Sequence, residues 1–110
     1  MIRLKKPVQL LEWGEGSNTT NQVWIELGKG TIVDKPKVVN GITILRVQFD
    51  KKVAKQNPQD DAIKVAQLGE GMTANSATHW GEVAFGRLKG IDTSGTLAEV
   101  EIKFAVKIGN

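Results

Sequence analysis

The chain contains no cysteine, which removes disulfides, thiolate zinc sites and cysteine nucleophiles together. It holds one histidine, His79. Metal sites with two imidazoles are therefore out, and His79 stands in a loop beside Trp80, the ordinary setting of a surface residue. No stretch of about 18 apolar residues occurs, so the sequence offers no transmembrane helix. Positive charge comes early in Met1-Ile2-Arg3-Leu4-Lys5-Lys6-Pro7, but Val8 to Trp13 are too few and too polar to be the apolar centre of a signal peptide. The expected location is the cytoplasm or a virion, and an extracellular module is the alternative if Met1 is not the natural start. The patterns GxSxG, HExxH, GxxxxGKS and the EF-hand loop do not occur either. The reading is of a protein that is not an enzyme and takes no cofactor.

Charge of one sign is also scarce. Fifteen Lys and Arg face twelve Asp and Glu, a formal net charge of +3. The basic residues are scattered apart from Lys5-Lys6 and Lys51-Lys52, whereas a nucleic-acid binder shows a denser stripe with aromatics between the charges. A solvated surface is the simpler reading, with neither nucleic acid nor membrane as the expected partner.

What is present is alternation. In the last strand, Ala98, Val100, Ile102, Phe104, Val106 and Ile108 fall on one face, with Glu99, Glu101, Lys103 and Lys107 on the other. That period of two marks a strand with one dry and one wet face. Val23, Ile25 and Leu27 alternate with Trp24 and Glu26 in the same way, and Gly28 and Gly30 then predict a tight turn into a returning strand, Thr31 to Val33. Asn40-Gly41 is a strong hairpin signal, because both residues tolerate positive φ. It joins Lys37-Val38-Val39 to a strand in which Thr43, Leu45, Val47 and Phe49 share one face. A further strand runs from Val83 to about Leu88, followed by a turn at Gly90 to Gly95. An extended N-terminal segment, about residues 1–13, contains a strand candidate from Ile2 to Leu11, with Pro7 favouring an edge or a bulge. Residues 61–68 fit either a short helix or a strand. The 110 residues thus predict a single all-β domain: an antiparallel β-sandwich or jelly-roll-like barrel, with one short helix near 60–68 as an option.

Asp60-Asp61 could ligate calcium or act in acid-base work, but too few oxygen ligands stand nearby, and a cap on a helix from Ala62 to Leu68 is the preferred reading. Asn18-Thr19-Thr20 matches the glycosylation sequon, which is idle without a signal peptide. Trp13, Trp24 and Trp80 are candidate partner-binding residues, since tryptophan supplies much buried area per residue. Trp24 lies opposite the presumed core face. Protein contact is the first expectation for these rings, ahead of internal packing and then a sugar platform.

The run Leu45-Arg46-Val47-Gln48-Phe49-Asp50-Lys51-Lys52-Val53, then Ile63 to Gly69, Gly81 to Phe85 and Gly90 to Phe104, resembles the order of segments in cohesin-type β-sandwich modules. The resemblance covers about residues 45–104. Lys51 stands where that family usually carries proline, and the first 40 residues follow its pattern poorly. The resemblance implies a scaffold module whose partner is a dockerin-bearing protein, with Asp50 towards that partner.

Together these features suggest a non-catalytic structural or assembly protein acting by protein–protein contact, such as a virion, phage decoration or tail component, self-associating or built into a larger assembly. The N-terminal segment and the tryptophans are its expected means. The alternatives are a cohesin-like or carbohydrate-binding extracellular module, and a small β-barrel that stacks single-stranded nucleic acid on Trp24, Phe49 or Phe85.

Overall fold

A computed structural model of the chain describes residues 1–15, 22–71 and 76–109. The described residues form nine strands and no helix: β1 (Ile2–Arg3), β2 (Pro7–Glu15), β3 (Gln22–Ile32), β4 (Lys37–Val39), β5 (Ile42–Phe49), β6 (Ala62–Leu68), β7 (Trp80–Ile91), β8 (Leu97–Ala105) and β9 (Ile108–Gly109). Seven of them make one antiparallel sheet in the order β3-β2-β6-β7-β8-β5-β4, and β3 also pairs with β5. That extra pairing, Gly30 to Phe49 and Ile32 to Val47, joins the two sides of the sheet into a closed barrel. Closure removes most free edges, the usual hazard of an all-β chain.

The core is the inward half of each alternating strand. Val8 and Leu10 of β2, Leu45 and Val47 of β5, Ile63 and Val65 of β6, Val83 of β7, and Ala98 and Val100 of β8 are essentially excluded from solvent. Two-residue periodicity places these side chains inside without further instruction. The Asn40-Gly41 hairpin forms as its sequence demands, with φ of 51° and 78° at the two residues.

Several expectations are overturned. Gly28 and Gly30 do not make a turn but lie inside β3, which runs for 11 residues. A Cβ at Gly28 would sit 2.9 Å from the Phe49 ring, and one at Gly30 would collide with the Gln48 carbonyl. The glycines serve close backbone approach. The helix option near 60–68 is excluded, because Ala62–Leu68 is strand β6, hydrogen-bonded on both sides by β2 and β7. Asp60 does cap, but it caps a strand: its Oδ1 accepts the Ala62 N–H at 2.8 Å.

The N-terminal segment is not an arm. Residues 7–15 form β2 between β3 and β6, with Pro7 at the first position, where its missing N–H costs least. Ile2, at 1% exposure, belongs to the core, and β1 pairs in parallel with β9 across the barrel's lower end. Gln67 fixes this closure from inside: it is fully buried, its Oε1 accepts the Arg3 N–H at 2.9 Å, and its Nε2 donates to the carbonyls of Arg3 and Lys6 at 2.8 and 3.1 Å.

The alternation predicts one strand to Ile108, but β8 ends at Ala105 and is paired on both sides, with β5 and β7. Its single dry face ends early. Ile102 faces Gly86 while Phe104 faces Phe85, so Lys103 is an extra, bulged residue. A bulge shifts the phase of everything after it, and Phe104 turns outward to stand 71% exposed. Similar extra residues occur at Leu27, Val83 and Lys89.

Candidate functional site

The outer face of the β3-β2-β6-β7-β8 wall carries the aromatic residues that the core does not use. Trp24 on β3 is opposite Trp13 on β2, and their ring centroids are 5.1 Å apart, edge to face. Trp24 also meets Phe85 on β7 at 5.9 Å, again edge to face. Because β2 and β6 lie between β3 and β7, the two rings reach each other over the intervening strands. Phe85 stacks on Phe104 of β8 at 6.5 Å with 29° between the planes. The result is one row of rings, Trp13–Trp24–Phe85–Phe104, laid across the wall.

Lysines hold this roof in place. Lys64 on β6 puts its Nζ 4.6 Å from the Trp24 ring centre and 2.7 Å from a Glu82 carboxylate oxygen. Lys29 on β3 lies over the Trp80 ring on β7 at 5.5 Å. That second span crosses the register line Gln9–Ala66–Glu82, and Ala66, although on the outer face, is only 2% exposed. Cation–π contacts of this kind are worth about 0.5–1 kcal/mol at open sites.

Most of the roof is half-buried, and it opens at Phe104. Beside that ring a groove of about 460 Å³ is lined by Val83, Ala84, Phe85, Phe104, Ala105 and Val106, with Glu82 as its one charged neighbour. Exposed phenylalanine next to an apolar groove is unusual on a protein surface, where isolated apolar atoms are common but joined patches are not.

The sequence candidates divide accordingly. Trp13 and Trp24 come together as neighbours in the row. Trp80 belongs to the same wall but pairs with Lys29 rather than with the row. Asp50 stands apart, on the loop after β5, where its N–H donates to the Lys29 carbonyl at 2.9 Å and its side chain lines a polar recess with Glu26, Lys51 and Lys52. Phe85 was among the stacking candidates and is on the wall; Phe49 was too, but it is a core residue. Alternation alone places Phe104 on the dry face, and the bulge at Lys103 turns it outward instead. The sequon Asn18-Thr19-Thr20 lies outside the described residues.

A second group of polar residues, at the barrel's upper end, is structural. Glu12 has the same phase as Val8 and Leu10, so its carboxylate points inward and is fully buried. It accepts the N–H groups of Gln56 and Asn57 at 3.1 and 3.0 Å and lies 3.5 Å from Lys55 Nζ. Asn57 in turn donates to the Trp13 carbonyl at 3.1 Å. The long connection between β5 and β6 is thereby pinned over the barrel mouth. The signal in the sequence was a charged residue in an apolar phase. Among the described residues, no cluster of three or more His, Asp or Glu able to hold a metal ion occurs, and no helix is long and apolar enough to cross a membrane.

No family model matches this chain, and neither a curated protein nor a solved structure shows significant similarity to it.

Proposed function

We propose that this protein is a non-catalytic assembly component that associates with copies of itself through the aromatic wall of β3-β2-β6-β7-β8. The observation that carries the reading is Phe104, 71% exposed at the open end of a row of otherwise packed rings. Burying such a ring, with the groove beside it, is favourable by about 1.5–3 kcal/mol. The wall also carries both signs of charge, Lys64 with Glu82 and Arg87 with Glu101. A two-fold contact brings the same surface from each copy together, and a surface of mixed sign can oppose each charge with its opposite. A structural part in a virion or phage tail fits that chemistry, as does a cytoplasmic assembly factor.

The two other readings draw less support. A sugar platform needs coplanar rings, whereas Trp13, Trp24 and Phe85 meet at 63° and 86°. Lysines over tryptophan rings favour single-stranded nucleic acid, but Lys64 is already held by Glu82 and Lys29 by Glu26 at 3.5 Å. A dockerin-type partner directed at Asp50 would use a different face from the exposed ring.

Because the chain has no cysteine, one introduced thiol reports on the wall. Maleimide labelling of Ala105→Cys, beside Phe104, is expected to slow as protein concentration rises, while Lys89→Cys keeps a constant rate. Concentration-independent labelling of Ala105→Cys would remove the proposed contact.

A further inference from the structure

The barrel's lower end combines three features that the aromatic wall does not explain. First, β4 pairs with β5 alone, so one side of Lys37–Val39 has no strand partner among the described residues. All three residues are exposed, Val38 by 69%. Second, a groove of about 300 Å³ runs beside this edge, with Leu4, Pro36, Val38, Thr43 and Ile108 in its lining. Third, its charge is of one sign. Lys35 lines the groove, and Lys5, Lys37 and Lys107 each adjoin a lining residue in the chain.

These four lysines are exposed, and none makes an ion pair among the described residues. Asp34, next to Lys35 in the chain, and Glu70, paired with the Lys6 that follows Lys5, are engaged elsewhere. Asp34 is held by Arg46 at 3.3 Å, and Glu70 is shared by Lys6, Arg3 and the Met1 amine at 3.1, 3.4 and 3.6 Å.

We propose that this end is a docking site for an extended, acidic segment of a partner protein, added as a strand to the free edge of β4. Main-chain hydrogen bonds to an open edge give such a segment affinity, and alternate side chains entering a groove give it specificity. Here the groove takes apolar side chains and the surrounding lysines take carboxylates. Edge lysines and Pro36 also work against a second copy, since like charges facing each other across paired strands are unfavourable. The same residues that repel self-pairing therefore select an acidic guest. No aromatic residue lines the groove, so stacking of nucleobases has no platform there.

The probe is a fluorescent peptide, Glu-Ile-Glu-Val-Glu-Ile-Glu, titrated into the isotope-labelled full chain. Anisotropy should show saturable binding, and amide shifts should cluster on residues 35–43 and 107–109. The exposed double variant Lys35→Glu/Lys37→Glu, its fold checked by circular dichroism, should bind at least about tenfold more weakly. A peptide of equal charge with proline at the apolar positions should not bind. Absence of binding, equal binding of the proline peptide or of oligothymidylate, shifts on another face, or an unaffected double variant would each overturn the proposal. The site is separate from the aromatic wall, so those outcomes leave the self-association reading to its own test.

Discussion

At the scale of single residues, the buried polar groups Glu12 and Gln67 tie down the two ends of the barrel. Glu12 accepts two backbone N–H groups and offsets the charge of Lys55, whose Nζ is buried 3.5 Å away without a hydrogen bond of its own. Glu12→Ala strands all three, and a cost of about 3 kcal/mol in urea unfolding is expected. Glu12→Gln keeps an oxygen acceptor and should cost roughly half of that. Asp92 works at the surface. Its carboxylate accepts the Thr96 and Leu97 N–H groups at 3.0 and 3.1 Å and the Ser94 hydroxyl at 2.9 Å. The Thr96 N–H first, then the Ser94 hydroxyl, hold its pKa below the usual aspartate range. The folded state therefore binds that proton less readily than the unfolded chain does. Its stabilisation is fully present above the ordinary carboxylate range and is lost as pH falls through the folded value. Glu70, lowered chiefly by its hydrogen bond from Lys6, behaves in the same sense. Carboxyl NMR titration should place both groups on the acidic side of the unfolded chain, and Asp92→Asn should flatten the acid limb of the stability curve.

At the scale of elements, the glycines and bulges decide what the alternation leaves open. Gly30→Ala would force a methyl into the Gln48 carbonyl of the paired strand, and about 2–3 kcal/mol of destabilisation is expected by thermal unfolding. Gly41→Ala meets no neighbour within 4 Å, but its φ of 78° still makes the substitution unfavourable, by roughly 1 kcal/mol. Much of this level was legible from the chain. The Asn40-Gly41 hairpin, the inward phase of Leu45, Val47 and Phe49, and the outward phase of Trp24 all follow from a period of two. The helix option at 62–68 failed because a seven-residue run has no decisive period, and tertiary pairing with β2 and β7 settled it. Phe104 departs from the alternation for a different reason. A bulge inserts one residue without a distinctive sequence signal, so the phase beyond Lys103 could not be read. The glycines of β3 resemble turn residues in the sequence, which shows their freedom and hides the backbone they admit.

At the scale of the whole molecule, closure limits the edges that are open to a partner. Joining β3 to β5 leaves few open edges, so a barrel of this kind associates mainly through its faces, with β4 as the exposed exception. The N-terminal strand, which the sequence offered as an assembly arm, is core material, and removing residues 1–12 should unfold the domain rather than free a monomer. The proposed self-association therefore rests on the aromatic wall, with Phe104 at its open end. Sedimentation equilibrium of the full chain and of Phe104→Glu tests this most directly. The exposed position lets the variant fold, with its thermal unfolding as the check. The wild-type mass should rise above that of the monomer with concentration, while Phe104→Glu stays monomeric. A wild-type protein that is monomeric throughout, or a Phe104→Glu variant that associates equally well, would contradict the account.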